Sequence, residues 1–418
     1  MIKLIKGFRD LLPGEIELWQ HVEAVARRTF SDFCFSEIRL PLLETTELFA
    51  RSIGADTDIV EKEMYTFEDR GGDMITLRPE ATAGVVRSYI EHGFGASDPV
   101  QKLFTIGPMF RRERPQKGRF RQFSQINAEF FGAAEPQADV LVLFMATAFF
   151  SRLRVPDIAI HLNSLGCPDC RPAYRETLLA FLSERKDRLC ENCLRRYVQN
   201  PLRVLDCKAQ GCRELTDGAP SIADHLCPAC RQHFEFVKKG LSDLGAGFVL
   251  DPRLVRGLDY YTRTTFEVQT TSLGAQNAVA GGGRYDGLVK ALGGPDTPAV
   301  GFAVGMDRLV ELLKGNDYGL SRGPAVYLAC LGDAAREKGF LLLAALCRAG
   351  VAAEMDFGAR SMKSLMKRAD KTRARKAIIL GEDELARGVA VVRNLSDKSQ
   401  EEVSLDRIVA YFSEATSL

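Results

Sequence analysis

The sequence lacks a strong net charge and any long apolar run. Its 418 residues carry a formal net charge of +1, so no overall field attracts nucleic acid and any such partner must be bound by local patches. No apolar stretch is long enough to cross a bilayer. The N-terminal segment has acid and proline where a signal peptide needs an apolar core. We therefore expect a cytoplasmic protein without a membrane partner.

Two common nucleotide-binding patterns are also missing. The chain contains neither G-x-x-x-x-G-K-[ST] nor G-x-G-x-x-G, which excludes a P-loop and sets a dinucleotide-binding fold aside. It shows no internal repeat and no low-complexity tract. With 46% hydrophobic and 27% charged residues, the composition is that of an ordinary globular protein. The length is sufficient for about two or three domains.

The most informative stretch runs from Ile106 to Gly132, where two apolar and aromatic runs flank an arginine-rich loop. From Arg119 to Ile126, Phe120, Phe123 and Ile126 are interspersed with polar residues, which predicts a half-buried strand and, with the preceding run, a hairpin. The cations of the loop repel one another, so we expect an anion there. A polyphosphate fits best, because arginine binds phosphate oxygens in pairs. A solvated basic loop is the alternative. The loop carries Arg111, Arg112, Arg114, Lys117 and Arg119, with Glu113 as its only acid.

A second candidate region follows a predicted hairpin that turns at Gly71 and Gly72. Its second strand ends at Leu77 and a helix starts near Glu80, which places Arg78, Glu80 and Thr82 at a strand-to-helix junction. Polar residues at such junctions are well placed to line a pocket. Capping of the helix by Glu80 and Thr82 explains the same residues equally well. Upstream, a strand is predicted to lead to Pro41, which marks a strand end or an edge.

Three later segments carry further chemistry. Two predicted strands are joined through LVRGLDYY, which contains Arg256, and another strand enters Gly281-Gly282-Gly283 before Arg284. Three glycines leave the backbone bare, so a ligand or another chain can approach closely, although a tight turn would also need them. Arg308 lies in the first turn of a predicted helix, where a cation opposes the helix dipole. We expect Arg308 to have an anionic partner.

The segment from about residue 166 to 247 is rich in cysteine. Four pairs hold eight of the eleven cysteines: Cys167 and Cys170, Cys190 and Cys193, Cys207 and Cys212, and Cys227 and Cys230. Thiolate pairs at this spacing are typical of tetrahedral zinc sites, and two such sites would use all eight. Disulfides and redox chemistry are the alternatives, but no other feature indicates an oxidising compartment. We predict structural zinc in a small inserted domain and leave the pairing open.

A final domain begins near Pro324. Strand-like runs alternate there with helical segments, which predicts a small α/β layer with a mainly parallel sheet. Arg360, Lys363 and Lys367 lie on one face of a predicted helix, away from an apolar stripe. A one-sided basic helix on a nearly neutral protein is typical of nucleic-acid backbone binding, and a solvated helix face is the alternative.

Taken together, these motifs resemble one known family. TLRPEATAG, FRRERP with GRFRQF, LVRGLDYY, GGGRYDGLV and GFAVGMDRL are similar, in this order, to the signature motifs of histidyl-tRNA synthetases, class II aminoacyl-tRNA synthetases. The resemblance covers essentially the whole chain. It implies an α+β fold: a class II catalytic domain over 1–322, with an antiparallel sheet of six or seven strands and the Cys-rich insertion at about 166–247, then an α/β anticodon-binding domain over 323–418. It also implies a homodimer formed partly around Pro41.

The resemblance further implies a two-step reaction. L-Histidine and ATP with Mg²⁺ would give histidyl-adenylate, and the histidyl group would then pass to tRNA-His. Arg256, Arg111 and Arg308 would be the catalytic residues, because fixed guanidinium groups stabilise charge that develops on phosphoryl groups. Arg111 and Arg256 would act on the α-phosphate from opposite sides, and Arg308 on the γ-phosphate.

The remaining roles follow from the same motifs. ATP would also contact Glu113, Arg119, Arg121 and Phe123, with Phe123 stacked on adenine and Glu113 at its amino group. Glu129 and Tyr261 would bracket the imidazole of histidine, and Glu80, Thr82 and Gln125 would hold its ammonium. Ala81, which replaces a usual glycine, Tyr260 and Tyr285 complete the histidine site together with Arg111 and Arg256. Arg114 and Gln116 would contact the tRNA acceptor end, and Arg360, Lys363 and Lys367 would also bind tRNA.

Two other functions compete with this interpretation. A non-catalytic regulatory paralogue, the ATP phosphoribosyltransferase regulatory subunit, shares the core fold of this family. Such proteins lack the last domain and have eroded motifs, whereas Arg111, Arg256 and Arg308 are all present here. A zinc-containing RNA-binding module would explain the cysteines and the basic helix. It would not explain an arginine hairpin beside Glu129 and Tyr261.

Overall fold

A computed structural model describes residues 2–54, 57, 59–113, 118–273, 277–320 and 323–414. The chain forms two compact units, Met1–Asn316 and Asp317–Leu418. In the described part of the chain, no helix is long and apolar enough to cross a membrane.

The first unit is built on a large sheet flanked by helices. Its strands are β1 (Ser36–Glu37), β2 (Leu43–Thr45), β3 (Tyr65–Glu68), β4 (Met74–Leu77), β5 (Gln101–Phe110), β6 (Gln122–Phe131), β7 (Ile158–Ser164), β8 (Phe248–Leu250), β9 (Thr262–Thr270), β10 (Ala278–Arg284) and β11 (Ala299–Gly305). Its helices are α1 (Ile16–Asp32), α2 (Thr46–Ile53), α3 (Thr82–Glu91), α4 (Phe94–Ser97), α5 (Pro136–Arg152), α6 (Arg171–Ser183), α7 (Glu191–Gln199), α8 (Gln210–Leu215), α9 (Pro228–Asp243), α10 (Leu288–Ala291) and α11 (Met306–Leu313). Short helical turns occupy Ile59–Glu63, Lys186–Arg188, Pro201–Val204, Ile222–His225 and Thr271–Leu273.

The central sheet has the strand order β1-β5-β6-β11-β10-β9-β7-β8. The six strands from β5 to β7 in this order pair antiparallel, and the short edge strands β1 and β8 pair parallel with their neighbours. The predicted antiparallel catalytic sheet is therefore confirmed, with one short parallel strand added at each edge. β5 and β6 form the predicted hairpin and pair over ten positions.

Helix α1 lies against this sheet through one apolar face. Trp19, Val22, Ala26 and Phe30 are buried on one face, and the Phe30 ring meets the Phe302 ring edge to face at a centroid distance of 5.9 Å. Because these positions recur every three or four residues, they form a single apolar stripe that a sheet can cover.

The segment around Pro41 differs from its prediction. The expected strand shrinks to Ser36–Glu37, and a second, three-stranded sheet of order β2-β4-β3 begins just after the proline. The buried Arg78 explains the interruption, because its guanidinium donates to the carbonyl oxygens of Leu40, Pro41 and Pro108 at 2.9–3.3 Å. Arg78 thus satisfies carbonyls that a continuous strand would have paired.

The cysteine-rich insertion runs from the end of β7 to the start of β8 and is helical. Helices α6 to α8 enclose an apolar cluster that includes Tyr174, Leu178 and Leu205. Its last helix, α9, packs against α5. At that contact, Asp139 of α5 pairs with Arg284, both fully buried, and His233 of α9 lies 3.3 Å from the same carboxylate. The insertion therefore packs closely against the catalytic sheet and its helices.

The second unit is a five-stranded α/β layer. Its strands are β12 (Val326–Cys330), β13 (Ala353–Met355), β14 (Lys376–Leu380), β15 (Val389–Asn394) and β16 (Gln400–Ser404), in the order β13-β12-β14-β15-β16. Its helices are α12 (Asp333–Arg348), α13 (Met362–Thr372), α14 (Glu382–Arg387) and α15 (Ile408–Glu414).

The prediction of a mainly parallel sheet in this unit is wrong. β12 pairs parallel with β13 and β14, whereas β14–β15 and β15–β16 are antiparallel. The connections decide this, because parallel neighbours need a crossover of a dozen or so residues and only α12 and α13 supply one. The links after β14 are too short, so the chain turns back beside the strand it has just left.

Candidate active site

The candidate active site lies on one face of the central sheet, and strand register determines its shape. Alternate residues of a strand share a face, so Phe123, Gln125 and Glu129 of β6 project to the same side. Across the sheet, Gly301 pairs with Glu129, and Gly283 pairs with Gly301. A Cβ atom on Gly301 would lie 1.9 Å from Glu129 Oε2. The glycines therefore form a floor over which the Glu129 carboxyl group can lie.

A second row of the same floor holds Arg256. Gly281 pairs with Glu267 of β9, so both face the same side as Glu129. The Arg256 guanidinium lies over Gly281, where a Cβ atom would approach its nitrogens to 2.6 Å. Arg256 donates to Glu267 Oε1 at 2.6 Å, and Gln269 donates to the other oxygen at 3.1 Å. The absence of a side chain at Gly281 thus lets the guanidinium lie flat on the sheet.

The Glu129 carboxyl group is the buried polar centre of this face. It accepts hydrogen bonds from the Thr82 hydroxyl at 2.7 Å and from the Tyr285 hydroxyl. Burial raises the pKa of Glu129 to about 8, with a further contribution from the Glu80 carboxylate, while the bonds from Tyr285 and Thr82 oppose the shift. The carboxyl group therefore changes charge near neutral pH, as groups at functional sites often do.

Glu80 and its neighbours form the start of helix α3. Glu80 accepts from the backbone N–H groups of Thr82 and Ala83 at 2.7 and 2.8 Å. Burial raises the pKa of Glu80 despite these bonds. Ala81 lies between Glu80 and Thr82 and has a φ of −102°, so this position does not need a glycine. The capping role is therefore present, and it also places Glu80 and Thr82 beside Glu129.

Three tyrosines stand around the carboxyl group. The ring centroids of Tyr260 and Tyr261 are 4.7 Å apart, and those of Tyr260 and Tyr285 are 5.7 Å apart. Burial raises the pKa of all three phenols, so they act as neutral donors at physiological pH. Tyr261 also faces Arg256, whose guanidinium carbon lies 5.6 Å from its ring centroid.

The arginine loop begins where β5 ends and leads into β6, which carries Phe123 and Glu129. Arg111 Nε donates to the Pro79 carbonyl oxygen at 2.9 Å, and the guanidinium carbon lies 5.3 Å from the Phe123 ring centroid. Arg119 pairs with Glu113 at 2.9 Å. The tip of the loop, with Arg114 and Gln116, lies outside the described residues.

Arg308 completes the cationic side of the site. It donates to the Ala278 carbonyl oxygen at 2.8 Å from the first turn of α11. Burial lowers the pKa of the Arg308 guanidinium, and the like charge of Arg119 lowers it further, although Glu113 and Glu267 oppose this. The like charges of Arg119 and Arg308 repel each other, and an anion between the two guanidinium groups would relieve this repulsion.

Several buried polar atoms at the site are not satisfied by the protein. Among the described residues, Gln125 Oε1, Arg256 Nε and Arg121 Nε lack a hydrogen-bond partner. Buried polar atoms are normally paired, so orphaned atoms on one face are consistent with a polar ligand. Arg121 lies further out, where it donates to the Lys6 carbonyl oxygen at 3.4 Å.

Sequence reasoning missed Glu267 and Gln269 and misjudged Arg78. The alternation of TTFEVQT predicted a strand, but only the register with β10 shows that Glu267 meets Arg256. Arg78 is buried in contacts with backbone carbonyls and does not line the site. A basic residue beside a pocket motif looks the same in sequence whether it binds a substrate or a backbone.

The eight cysteines of the insertion form two separate groups of four. Cys167 and Cys170 meet Cys227 and Cys230, whereas Cys190 and Cys193 meet Cys207 and Cys212. Sulfur separations of 3.6–4.0 Å within the groups are close to the edge of about 3.8 Å that a tetrahedral site with zinc–sulfur bonds of about 2.3 Å requires. They are too long for a disulfide, which needs about 2.05 Å, and all eight thiols are free.

The basic helix of the second unit is α13. Leu365 and Ala369 are buried as predicted, whereas Lys363 and Lys367 are exposed. Arg360, just before the helix, pairs with Asp356 at 2.6 Å. Two of the three predicted cations therefore face solvent without an ion pair among the described residues.

Comparisons with known proteins agree with the site. A sequence model of the histidyl-tRNA synthetase family matches residues 7–309, and an anticodon-binding domain model matches residues 325–415. The histidine–tRNA ligase of Desulfatibacillum aliphaticivorans is 63% identical over 406 residues, or 97% of both chains. The chain belongs to the histidyl-tRNA synthetase family. The resemblance inferred from the motifs is thereby confirmed.

Solved structures support the fold assignment. Apo histidyl-tRNA synthetase from S. aureus is 35% identical, with a TM-score of 0.84 over 99% of this chain and all of that chain. A Bacillus halodurans protein described as an ATP phosphoribosyltransferase regulatory subunit/histidyl-tRNA synthetase is 19% identical, with a TM-score of 0.66 over 91% of this chain. That second likeness shows a shared fold alone. The class II catalytic fold and the C-terminal anticodon-binding domain that the motifs implied are confirmed.

Proposed function

We propose that this chain ligates L-histidine to tRNA-His through a histidyl-adenylate. The carboxylate of histidine attacks the α-phosphorus of ATP and displaces pyrophosphate, and the histidyl group then passes to the 3′ end of the tRNA. The observation that carries the proposal is the single sheet face on which the Glu129 carboxyl group and the Arg256 guanidinium lie over glycines. One group suits an imidazole and the other a phosphoryl group.

The phosphates of ATP fit the cations around the arginine loop. Arg111 and Arg256 are assigned to the α-phosphate and Arg308 to the γ-phosphate, where charge develops in the transition state. Phe123, already beneath the Arg111 guanidinium, is assigned to stacking on adenine, with Glu113, Arg119 and Arg121 around the nucleotide.

Mg²⁺ enters this scheme with ATP. Carboxylate oxygens are its usual protein ligands, but Glu113 and Glu267 are already paired with Arg119 and Arg256. The residues beside the arginines therefore fit a Mg²⁺ ion held chiefly by the phosphates. The ion would supply neutralisation of phosphate charge.

Histidine selection is assigned to the buried polar group around Glu129. Glu129 and Tyr261 would satisfy the two ring nitrogens, and Tyr260 and Tyr285 would enclose the ring. Glu80, Thr82 and Gln125 would hold the ammonium beside Ala81, since the Gln125 Oε1 atom is buried and unsatisfied. A site of this kind rejects analogues without the ring nitrogens, because its own polar groups would then be left unpaired.

The second unit is assigned to tRNA. We assign a catalytic domain to 1–322, with the insertion at about 166–247, and an anticodon-binding domain to 323–418. The exposed Lys363 and Lys367 of α13 suit a phosphate backbone, and Arg360 would join them by leaving Asp356. Arg114 and Gln116 stay assigned to the acceptor end from their sequence motif.

Each four-cysteine group is assigned one structural zinc ion. The sulfur separations fit a tetrahedral ion, and backbone N–H groups donate to two of the sulfurs. Cys190 N donates to Cys212 Sγ at 3.3 Å, and Cys227 N donates to Cys170 Sγ at 3.2 Å. Such bonds stabilise thiolate charge. All four ligands of each group come from the protein, so the metal would hold the insertion together and have no open position for catalysis.

A homodimer is supported by the small sheet beside Pro41. Leu43, Phe67, Ile75 and Leu77 share one face through the β2-β4-β3 register, and Leu43 and Phe67 are 42% and 46% exposed. An apolar sheet face of this kind favours burial against a second copy of the chain.

As a tRNA-charging enzyme, the protein is assigned to the cytoplasm.

The decisive experiment is exchange of pyrophosphate into ATP in the absence of tRNA. Exchange that depends on histidine alone among the amino acids would support adenylate formation and the imidazole pocket together. Arg256→Ala should lower this exchange by orders of magnitude while leaving the fold intact. Folded protein that binds histidine without any exchange would favour the regulatory paralogue instead.

A further inference from the structure

The segment that carries Arg256 and Tyr261 has little regular structure of its own. From residue 251 to residue 261, all described, the backbone forms only turns and bends. Its beginning is fixed by Asn163 of β7, which donates to the carbonyl oxygens of Pro252 and Leu254. The position of the rest must come from the elements packed against it, because an irregular segment has no ladder of hydrogen bonds to define it.

The cysteine-rich insertion contacts this segment at three alternate residues. Arg203 donates to the Gly257 carbonyl oxygen at 3.4 Å, and Asn200 donates to Asp259 Oδ1 at 3.1 Å. Arg171 donates to the Tyr261 carbonyl oxygen. All three donors belong to the insertion and all three acceptors to the segment. The insertion therefore holds the segment at three positions, one of which is Tyr261 itself.

Apolar packing continues across the same boundary. Val255 and Tyr261 are buried in the cluster that forms the core of the insertion, together with Val204, Leu205 and the sulfur ligands Cys193, Cys207 and Cys212. Tyr261 therefore has one side in the histidine pocket and the other in the core of the insertion. Any rearrangement of that core moves the phenol, because packed interiors transmit displacement.

Most of this contact surface lies between two cysteines of one four-cysteine group. Asn200, Arg203, Val204 and Leu205 all lie on the stretch between Cys193 and Cys207, which belong to the same group. A metal bound to both cysteines closes that stretch into a loop and restricts its conformations, as any short cross-link does. The other group, which includes Cys167 and Cys227, joins the two ends of the insertion. The loop that it closes contains the same residues but is much longer, and Arg171 directly follows its Cys170.

We propose that the metal held by Cys190, Cys193, Cys207 and Cys212 positions Arg256 and Tyr261 for histidine activation. Asn200 and Arg203 act as positioning residues, since they touch the catalytic segment and not the substrate. This inference rests on the proposed function. It predicts that loss of this metal weakens histidine binding while ATP binding persists, because Arg111 lies just after β5, Phe123 on β6 and Arg308 on α11, all outside the insertion.

The first test removes one metal ligand in the full-length protein. Cys207→Ser should reduce zinc measured by inductively coupled plasma mass spectrometry from two ions per chain to one. Equilibrium dialysis should show histidine binding weakened about tenfold or more, as a displacement of about 1 Å can cost 10²-fold in activity. Binding of ATP should stay within about twofold. The exposed Cys347 provides the control, and Cys347→Ser should keep both ions and full histidine affinity.

Hydrogen exchange adds a measurement that a general loss of stability would not reproduce. Peptides covering residues 254–263 should exchange faster in Cys207→Ser, whereas peptides from β5 and β6 should be unchanged. Cys207→Ser that has lost one ion and still binds histidine normally would overturn the inference. Faster exchange throughout the first unit would also overturn it, because the metal would then be a general stabiliser.

A second variant decides the case if Cys207→Ser does not fold. The double substitution Asn200→Ala with Arg203→Ala removes the contacts to the segment and leaves all cysteines in place. It should keep two ions and raise the KM for histidine several-fold with little change in the KM for ATP. Two ions with unchanged histidine kinetics would refute the positioning role. Wild-type protein with histidine-dependent exchange but no zinc would refute the metal assignment and leave the enzymatic function standing.

Discussion

Substituting Gly281 by alanine tests the active-site geometry without removing any catalytic group. The added Cβ atom would lie 2.6 Å from both terminal nitrogens of Arg256 and 2.8 Å from its guanidinium carbon. The backbone at Gly281 has no left-handed conformation, so alanine is acceptable to the main chain. The strain can be relieved only by moving the guanidinium, which is the flexible end of a side chain.

The size of this displacement sets the expected effect. Ordinary contact between such atoms begins near about 3.4 Å, so the guanidinium must move by about 0.8 Å from its 2.6 Å position. A misplacement of about 1 Å costs on the order of 10²-fold in rate, which corresponds to about 2.7 kcal/mol of transition-state stabilisation. The ion pair with Glu267 would lengthen as well, but stability should change little because both side chains are partly exposed.

Pyrophosphate–ATP exchange measures this loss directly. Gly281→Ala should lower kcat/KM about 10²-fold while circular dichroism and the melting temperature stay close to wild type. Gly287→Ala is the matched control in the same motif, because no atom lies within 4 Å of its Cβ position and its φ is −88°. Wild-type exchange by Gly281→Ala would show that Arg256 does not act from its place over the sheet.

Three further predictions concern the pocket, the nucleotide and the tRNA. Because burial raises the pKa of Glu129 to about 8, the fraction of Glu129 that is ionised grows as pH rises from 7 to 8. If the imidazole needs the carboxylate, calorimetry should show that histidine binds about fivefold more tightly at pH 8 than at pH 7. A Glu129→Gln protein with the same pH dependence would show that Glu129 is not its source. Phe123→Leu should raise the KM for ATP about tenfold, because stacking on adenine is lost, and should change the KM for histidine less than twofold. An unchanged KM for ATP would show that Phe123 does not stack on adenine. Lys363→Glu combined with Lys367→Glu should lower kcat/KM for tRNA about tenfold and leave pyrophosphate exchange unchanged. The control Lys338→Glu, at an exposed position, should change neither quantity. An equal loss of kcat/KM for tRNA in both proteins would contradict a specific role for α13.

The hairpin β5–β6 could be predicted from the sequence because its information is local. Two apolar and aromatic runs flank one arginine-rich loop, and the two-residue period of a strand places Phe123, Gln125 and Glu129 on one face. The strand predicted to lead to Pro41 failed for the opposite reason. Its carbonyls are bound by Arg78, a residue nearly forty positions away, and no local pattern indicates such a contact.

The site shows the same division between local and distant information. Arg111, Arg256 and Arg308 could be predicted as site residues because each lies in a recognisable motif. Glu267, which holds Arg256, was missed because it is an ordinary polar position in an alternating strand. The mainly parallel sheet expected in the second unit was wrong, because strand direction depends on the length of each connection and on where the chain returns.

The sequence by itself determined the family, the motifs, the zinc-like spacing and the periodicity of the long helices and strands. These properties depend on residue types at short separations, where chain geometry allows few alternatives. Only the tertiary structure decided which cysteines group together, that glycines of β10 and β11 make room for Arg256 and Glu129, and that the insertion packs on the segment carrying Tyr261. Those properties depend on contacts between residues far apart in the chain, which register and packing select and no local pattern encodes.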